Sequence, residues 1–299
     1  MLLLGDIINV LKKVPLWVWI FPDLYRGANF SIAIAMWKSM GWIRYFVLIG
    51  LCQVVADLAI AQNNSALTSN IKFEQLTDGL SEKSVTSIIQ DQHGFLWFGT
   101  RNGLNQYDGI EFKVYEYIHG DSTSLSSSFI TSLAEDKEGN IWVGTTDAGL
   151  NRYNRKLDNF TRFQSKPNDP ESLSDNWVTD LCIDNRGNVW VGTEGGGLNV
   201  VYAGSKAFKH FTNDVKDPLS LANNHVRSIC EDSYGNIWVA TYGGGLDRFD
   251  AGGQRFIHHR HEPGNAKSLS SNYLNFFLKD SDGQIWMGTR EGLNRLVPK

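Results

Sequence analysis

WVTDLCIDNRGNVWVGTEGGGLNVVYAGSKAFKHF, residues 177–211, contains four short strand-like stretches: WVTDLCID, NVWVGT, GLNVVY and FKHF. Each is rich in β-branched and aromatic residues and is bounded by Gly, Asn or Asp, the pattern of strands joined by tight turns. Asp184-Asn185-Arg186-Gly187-Asn188 supplies a hairpin between the first two, with Gly where a positive φ is needed. The stretch therefore reads as one four-stranded antiparallel sheet.

Working outward, Trp190 belongs to a series with Trp97, Trp142, Trp238 and Trp286, at spacings of 45, 48, 48 and 48 residues. An Asp and a Gly precede each Trp in the pairs Asp91/Gly94, Asp136/Gly139, Asp184/Gly187, Asp232/Gly235 and Asp280/Gly283. Each Trp leads into Gly-Thr or Ala-Thr and then Gly-Leu, and Phe112, Phe160, Phe208 and Phe256 follow at the same interval. Four-stranded units of about 40–50 residues stack radially as propeller blades, with the large indole packing one blade on the next. The expected fold is all-β, a β-propeller of about five four-stranded blades within residues 62–299. Phe73–Thr77 (FEQLT) resembles a fourth strand standing ahead of the first repeat, while the last repeat stops after its third strand. FEQLT is expected either to complete the last blade and close a five-bladed ring, or to belong to a truncated piece of a larger propeller.

A hydrophobic segment precedes the repeats. Residues 42–61, WIRYFVLIGLCQVVADLAIA, follow Lys38, carry Arg44 at their start and end in Ala59-Ile60-Ala61. A basic flank, an apolar centre and a small-residue exit describe a secretory signal at 36–61, with an uncleaved anchor as the alternative. Asp57 within the run opposes a stable membrane span. Residues 1–35 then read as an upstream extension. Export follows from either reading, with membrane contact only through this segment. The net charge of −4 offers no footprint for nucleic acid. Three cysteines make no disulfide framework, and Cys182 and Cys230, at matching repeat positions, read as small buried thiols.

DGLSEKSVTSIIQDQHGFLWFGTRNGLNQYDG, Asp78 to Gly109, resembles the two-component regulator propeller family in its Gly-Leu-Ser, Asp-x-x-Gly-x-Leu-Trp and Gly-Leu-Asn elements. The likeness runs through all five repeats, about residues 71–297. It implies the periplasmic input region of a Gram-negative sensor, often a hybrid histidine kinase that reports on polysaccharide breakdown products. No kinase domain lies in these 299 residues, so the chain itself is expected to be a binding module and not an enzyme. The resemblance further implies a small ligand, with an oligosaccharide first; under a scaffold reading the partner would be a second receptor subunit.

Function should lie where the blades differ. The loops between second and third strands carry Arg101, Asn102, Asp147, Glu194, Tyr242 and Arg290. At the start of each innermost strand stand Ser84, Phe129, Trp177, His225 and Tyr273. Both sets are expected at one face, around the mouth of the central channel. Aromatic rings stack on sugars, and Arg101 and Arg290 suit a uronate or sulfate; alternatively, the rings fill the channel. A lyase-type propeller enzyme would need a general base, for which His225 with Glu194 is the available pair. A protein-binding scaffold is the third reading. His258, His259 and His261 lack matched metal-ligand spacing, and Asp280-Ser281-Asp282-Gly283 occupies the hairpin every repeat has. No metal or cofactor is expected.

Overall fold

The computed structural model describes residues 72–252 and 254–297. Two compact units divide the chain, Met1–Gln75 and Leu76–Lys299, and every strand lies in the second. The segments expected at 1–35 and 36–61 fall outside the described residues. Blade 1 comprises β1 (Val85–Gln90), β2 (Leu96–Thr100), β3 (Gly103–Tyr107) and β4 (Phe112–Tyr115). Blade 2 follows as β5 (Ile130–Glu135), β6 (Ile141–Thr145), β7 (Leu150–Asn154) and β8 (Asn159–Phe163). Blade 3 is β9 (Val178–Ile183), β10 (Val189–Thr193), β11 (Leu198–Val201) and β12 (Phe208–Phe211). Blade 4 is β13 (Val226–Glu231), β14 (Ile237–Thr241), β15 (Gly245–Asp250) and β16 (Arg255–His259). Blade 5 has β17 (Leu274–Lys279), β18 (Ile285–Thr289) and β19 (Gly292–Arg295). Each sheet is antiparallel and pairs its strands in sequence order, so the repeat is a five-bladed β-propeller motif as expected.

One set of hydrogen bonds explains the repeated Asp and Trp. In blade 3, Asp184 Oδ1 accepts from the amides of Arg186 and Asn188 at 2.9 and 2.8 Å, which closes the β9–β10 turn. Its Oδ2 accepts from the Trp190 indole at 2.9 Å. The indole bond recurs in the other blades at 2.7, 2.8, 2.9 and 2.8 Å. A carboxylate thus ties each turn to the residue that wedges the next blade. Burial pushes the Asp232 carboxyl up, but bonds from Trp238, Asn236 and the turn amides outweigh it and hold it below the usual carboxylate range.

Four apolar clusters sit between successive blades. Trp97 and Leu104 pack against Ile130 and Leu133 of blade 2, and Trp142 and Leu150 against Val178 and Leu181 of blade 3. Trp190 and Leu198 pack with Val226 and Ile229 of blade 4, and Trp238 and Leu246 with Leu274 and Met287 of blade 5. Cys182 and Cys230 pack against the third and fourth clusters as free thiols, and burial pushes them up to about 12 and about 11.

Blades 1 and 5 differ from the rest at their outward faces. Ile88 is 59% exposed where Leu133, Leu181 and Ile229 are buried, and Leu293 is 64% exposed where Leu104, Leu150, Leu198 and Leu246 are buried. A ring closed between these blades would have covered both, so among the described residues the five blades form an open arc. FEQLT does not complete the last blade. Residues 72–77 form no strand, Phe73 is 93% exposed, and among the described residues the fifth sheet has three strands. The other outermost strands are delivered by a short turn from the third strand of their own blade, which sets their register; Phe73 has no such turn.

Candidate functional site

The second-to-third strand loops and the starts of the innermost strands meet at one end of the blades. Within a blade, the amide of the first loop residue donates to the carbonyl at the start of the innermost strand. The pairs are Thr146–Phe129 (3.2 Å), Glu194–Trp177 (3.0 Å), Tyr242–His225 (2.9 Å) and Arg290–Tyr273 (3.0 Å). Between blades, the loop glycine donates to the residue just ahead of the next: Gly103 to Ser128, Gly149 to Asn176, Gly197 to Asn224 and Gly245 to Asn272. Only glycine fits there. Gly197 has φ of 79°, and a Cβ would stand 2.4 Å from the Phe211 carbonyl oxygen. The two sets of residues expected to share a face therefore form one laced rim.

Loop residues of one blade also touch the first residue of the next. The Arg101 guanidinium lies over the Phe129 ring at 5.5 Å. Glu194 Oε1 is 3.5 Å from His225 Nδ1, and the rings of Tyr242 and Tyr273 meet edge to face at 5.1 Å. Arg290 lies over both Tyr242 (4.9 Å) and Tyr273 (4.6 Å) and donates to the Tyr242 hydroxyl. Asp147 is exposed and stands apart, and Trp177 is 48% exposed beside Glu194. Asn102 turns instead to Glu116, at 3.4 Å.

Arg227 joins these contacts into a network, and sequence reasoning missed it. Its guanidinium grips Glu194, with Nη1 3.1 Å from Oε2 and Nη2 donating to Oε1 at 3.3 Å. It also lies over the Tyr242 ring at 4.9 Å. Each innermost strand begins with a bulge that skips one residue, namely Thr86, Thr131, Thr179, Arg227 and Asn275. A bulge re-aims the skipped side chain. The three threonines donate to the carbonyls of Ile130, Val178 and Val226 in the next blade at 2.7–2.8 Å. In blade 4 an arginine takes that place and reaches the rim. The break in the threonine series was the available signal.

Glu194, His225, Arg227, Tyr242, Arg290 and Tyr273 thus form one continuous surface across blades 3 to 5. Arg101 and Arg290 make no ion pair there among the described residues, so their charges are open to an anion. Glu194 Oε2 is buried beneath this surface against Arg227.

The histidine cluster serves the framework. His258 Nδ1 meets Asp247 Oδ1 at 2.6 Å and Nε2 meets the Pro218 carbonyl at 2.8 Å. His259 packs on Trp238, and His261 Nδ1 meets the Leu269 carbonyl. Asp280 closes its turn and holds Trp286, as its counterparts do.

The two component regulator propeller model matches residues 79–102, 124–147, 172–195, 220–243 and 268–291, one match per blade. The five blades belong to the two component regulator propeller family. Each match takes in the innermost strand, its hairpin and the second strand, and ends in the rim loop. Histidine kinase P4 of Formosa agariphila is 46% identical over 80 residues, which is 26% of this chain and 6% of that protein. The extracellular domain assigned to the hybrid two component system BT4673 of B. thetaiotaomicron is 26% identical, with a TM-score of 0.60 over 76% of this chain and 32% of that one. The regulator propeller described here thus spans a small part of the curated relative and about a third of the solved one. Virginiamycin B lyase of Staphylococcus aureus, 12% identical, shares the fold with a TM-score of 0.55 over 76% of this chain and 70% of its own.

Proposed function

We propose that this chain is the extracytoplasmic ligand-sensing propeller of a two-component receptor, and that its rim binds an acidic oligosaccharide. The observation that carries the reading is the rim network, in which two tyrosines and two arginines alternate beside an imidazole and a carboxylate. Aromatic faces accept the apolar faces of sugar rings. The guanidinium groups of Arg101 and Arg290, which have no carboxylate partner among the described residues, suit uronate or sulfate, which a planar fork can bind bidentately. The extracellular placement of the BT4673 domain and the kinase relative support the receptor setting.

The enzyme reading has less support. His225 and Glu194 are the pair it needs, but Arg227 holds that carboxylate as an ion-pair partner. The lyase likeness is one of fold, which does not carry function.

The test is thermal unfolding of the full chain with a panel of acidic and neutral oligosaccharides. A ligand at a hundred times its Kd should add about 2.7 kcal/mol of stability, and each kcal/mol should raise Tm by roughly 2–4 °C for a domain of this size. The expected result is a shift with acidic sugars that Arg290→Ala and Arg101→Ala reduce. An equal shift in both variants, or none with any sugar, would overturn the proposal.

A further inference from the structure

Between blades 3 and 4, at the hairpin end opposite the rim, lies a cleft of about 480 Å³. The corresponding space between blades 1 and 2 is filled by a single side chain. Arg155 extends from the β7–β8 turn, places Nη2 2.5 Å from Asp91 Oδ2 and 3.8 Å from Glu135 Oε1, and donates from Nε to the Gly139 carbonyl at 2.9 Å. Its guanidinium lies over the Trp97 ring at 5.8 Å.

Two repeats along, the same berth recurs without its occupant. Glu231, Gly235, Asp184 and Trp190 stand where Glu135, Gly139, Asp91 and Trp97 stand, and all four line the cleft. Where Arg155 would be is Ala251. The carboxylate is aimed alike in both places. The Gln92 amide donates to Glu135 Oε2 at 2.9 Å, and the Asn185 amide to Glu231 Oε2 at 2.9 Å. In both, Oε1 lies 3.7 Å from where a Cβ on the glycine would stand. The other two inter-blade spaces have Ile183 and Lys279 at this position, so neither keeps the carboxylate.

One difference sharpens the site. Asn188 replaces Phe95 and donates to Asp184 Oδ2 at 2.7 Å, so that oxygen is already supplied. Glu231 Oε1 and the Gly235 carbonyl are left to meet a cation; the carbonyl accepts no bond among the described residues. Arg186 and Arg248 also line the cleft, and neither forms an ion pair with Glu231. Tyr202 and Tyr234, 37% and 78% exposed, flank the opening and add aromatic faces on which a guanidinium can stack.

We propose that this cleft binds a guanidinium group, supplied by an arginine side chain on a peptide or by a free guanidinium compound. The proposal does not depend on the rim being a sugar site. The test is calorimetric titration of the full chain with agmatine, with a Gly-Arg-Gly amide, and with butylamine as an ammonium control. The two guanidinium probes should bind at least tenfold more tightly than butylamine. Glu231→Gln should weaken them tenfold or more. Ala251→Arg, which supplies the missing side chain from within, should abolish their binding. Tighter binding of the peptide would assign the group to a polypeptide, and equal binding to a free compound. No heat with either guanidinium probe, or unchanged affinity in Glu231→Gln and Ala251→Arg, would overturn the proposal.

Discussion

Asp180 shows how one residue can set a property of the whole chain. It lies in β9 where three of the other innermost strands have Ser87, Ser132 and Ser228. Its Oδ2 accepts from the Ser228 hydroxyl at 2.8 Å and the Ile229 amide at 2.7 Å, which bridges blades 3 and 4. Burial between the blades pushes this carboxyl up to about 6 in spite of those bonds. An unfolded aspartate titrates near pH 3.9, so between about pH 4 and 6 the folded chain keeps a proton the unfolded chain has lost. Stability contributed by this group therefore falls as pH rises through that window. Asp180→Asn should gain on the native protein by about 2 kcal/mol between pH 4 and 7, measured by urea unfolding across that range. Parallel pH profiles for the two proteins would contradict the assignment. None of this was legible in the sequence, because the partners of Asp180 lie in another blade. Arg227 escaped for a related reason, since its reach depends on the bulge before Ser228.

At the scale of elements, the hairpins were readable because Asp, Gly and Trp act within a few residues of one another. Asp-x-x-Gly and the indole six residues beyond the Asp belong to one turn and one pair of strands. The candidate rim was readable in part: loop and strand-start residues could be aligned from the repeat, and Arg101–Phe129, Glu194–His225 and Tyr242–Tyr273 do come together. The turning of Asn102 toward Glu116 was not, since it depends on where the chain runs after β4. The rim glycines make a direct test of the lacing. Gly197→Ala places a side chain at positive φ and against the Phe211 carbonyl, and should cost about 1–3 kcal/mol. Gly195→Ala, two residues earlier, has φ outside the left-handed region, and its Cβ would meet only the Asp175 carboxylate at 3.3 Å, so it should cost less. Equal losses in denaturant unfolding would show that the loop does not depend on that contact.

For the whole molecule, the repeat gives the number of blades but not the fate of the two ends. Strand pairing across the full chain has no local turn to announce it, which is why FEQLT reads as a strand and is not one. The open arc makes the same residue type matter differently by position. Leu198→Ala, in a core between blades, should cost about 2–5 kcal/mol, whereas Leu293→Ala, at the matching place on the exposed end face, should cost under 1 kcal/mol. Urea unfolding of the two variants compares them, and similar losses would mean that the end face is covered. The proposed binding surface lies at the opposite pole from the turns, on a rim where three blades contribute side chains. Hydrogen–deuterium exchange of the full chain, with and without the acidic oligosaccharide that stabilises it most, tests that placement most directly. Slowed exchange is expected in the rim loops around Glu194, Tyr242 and Arg290, with the hairpins around Gly187 and Gly235 unchanged. Protection at the hairpins with none at the rim would contradict it.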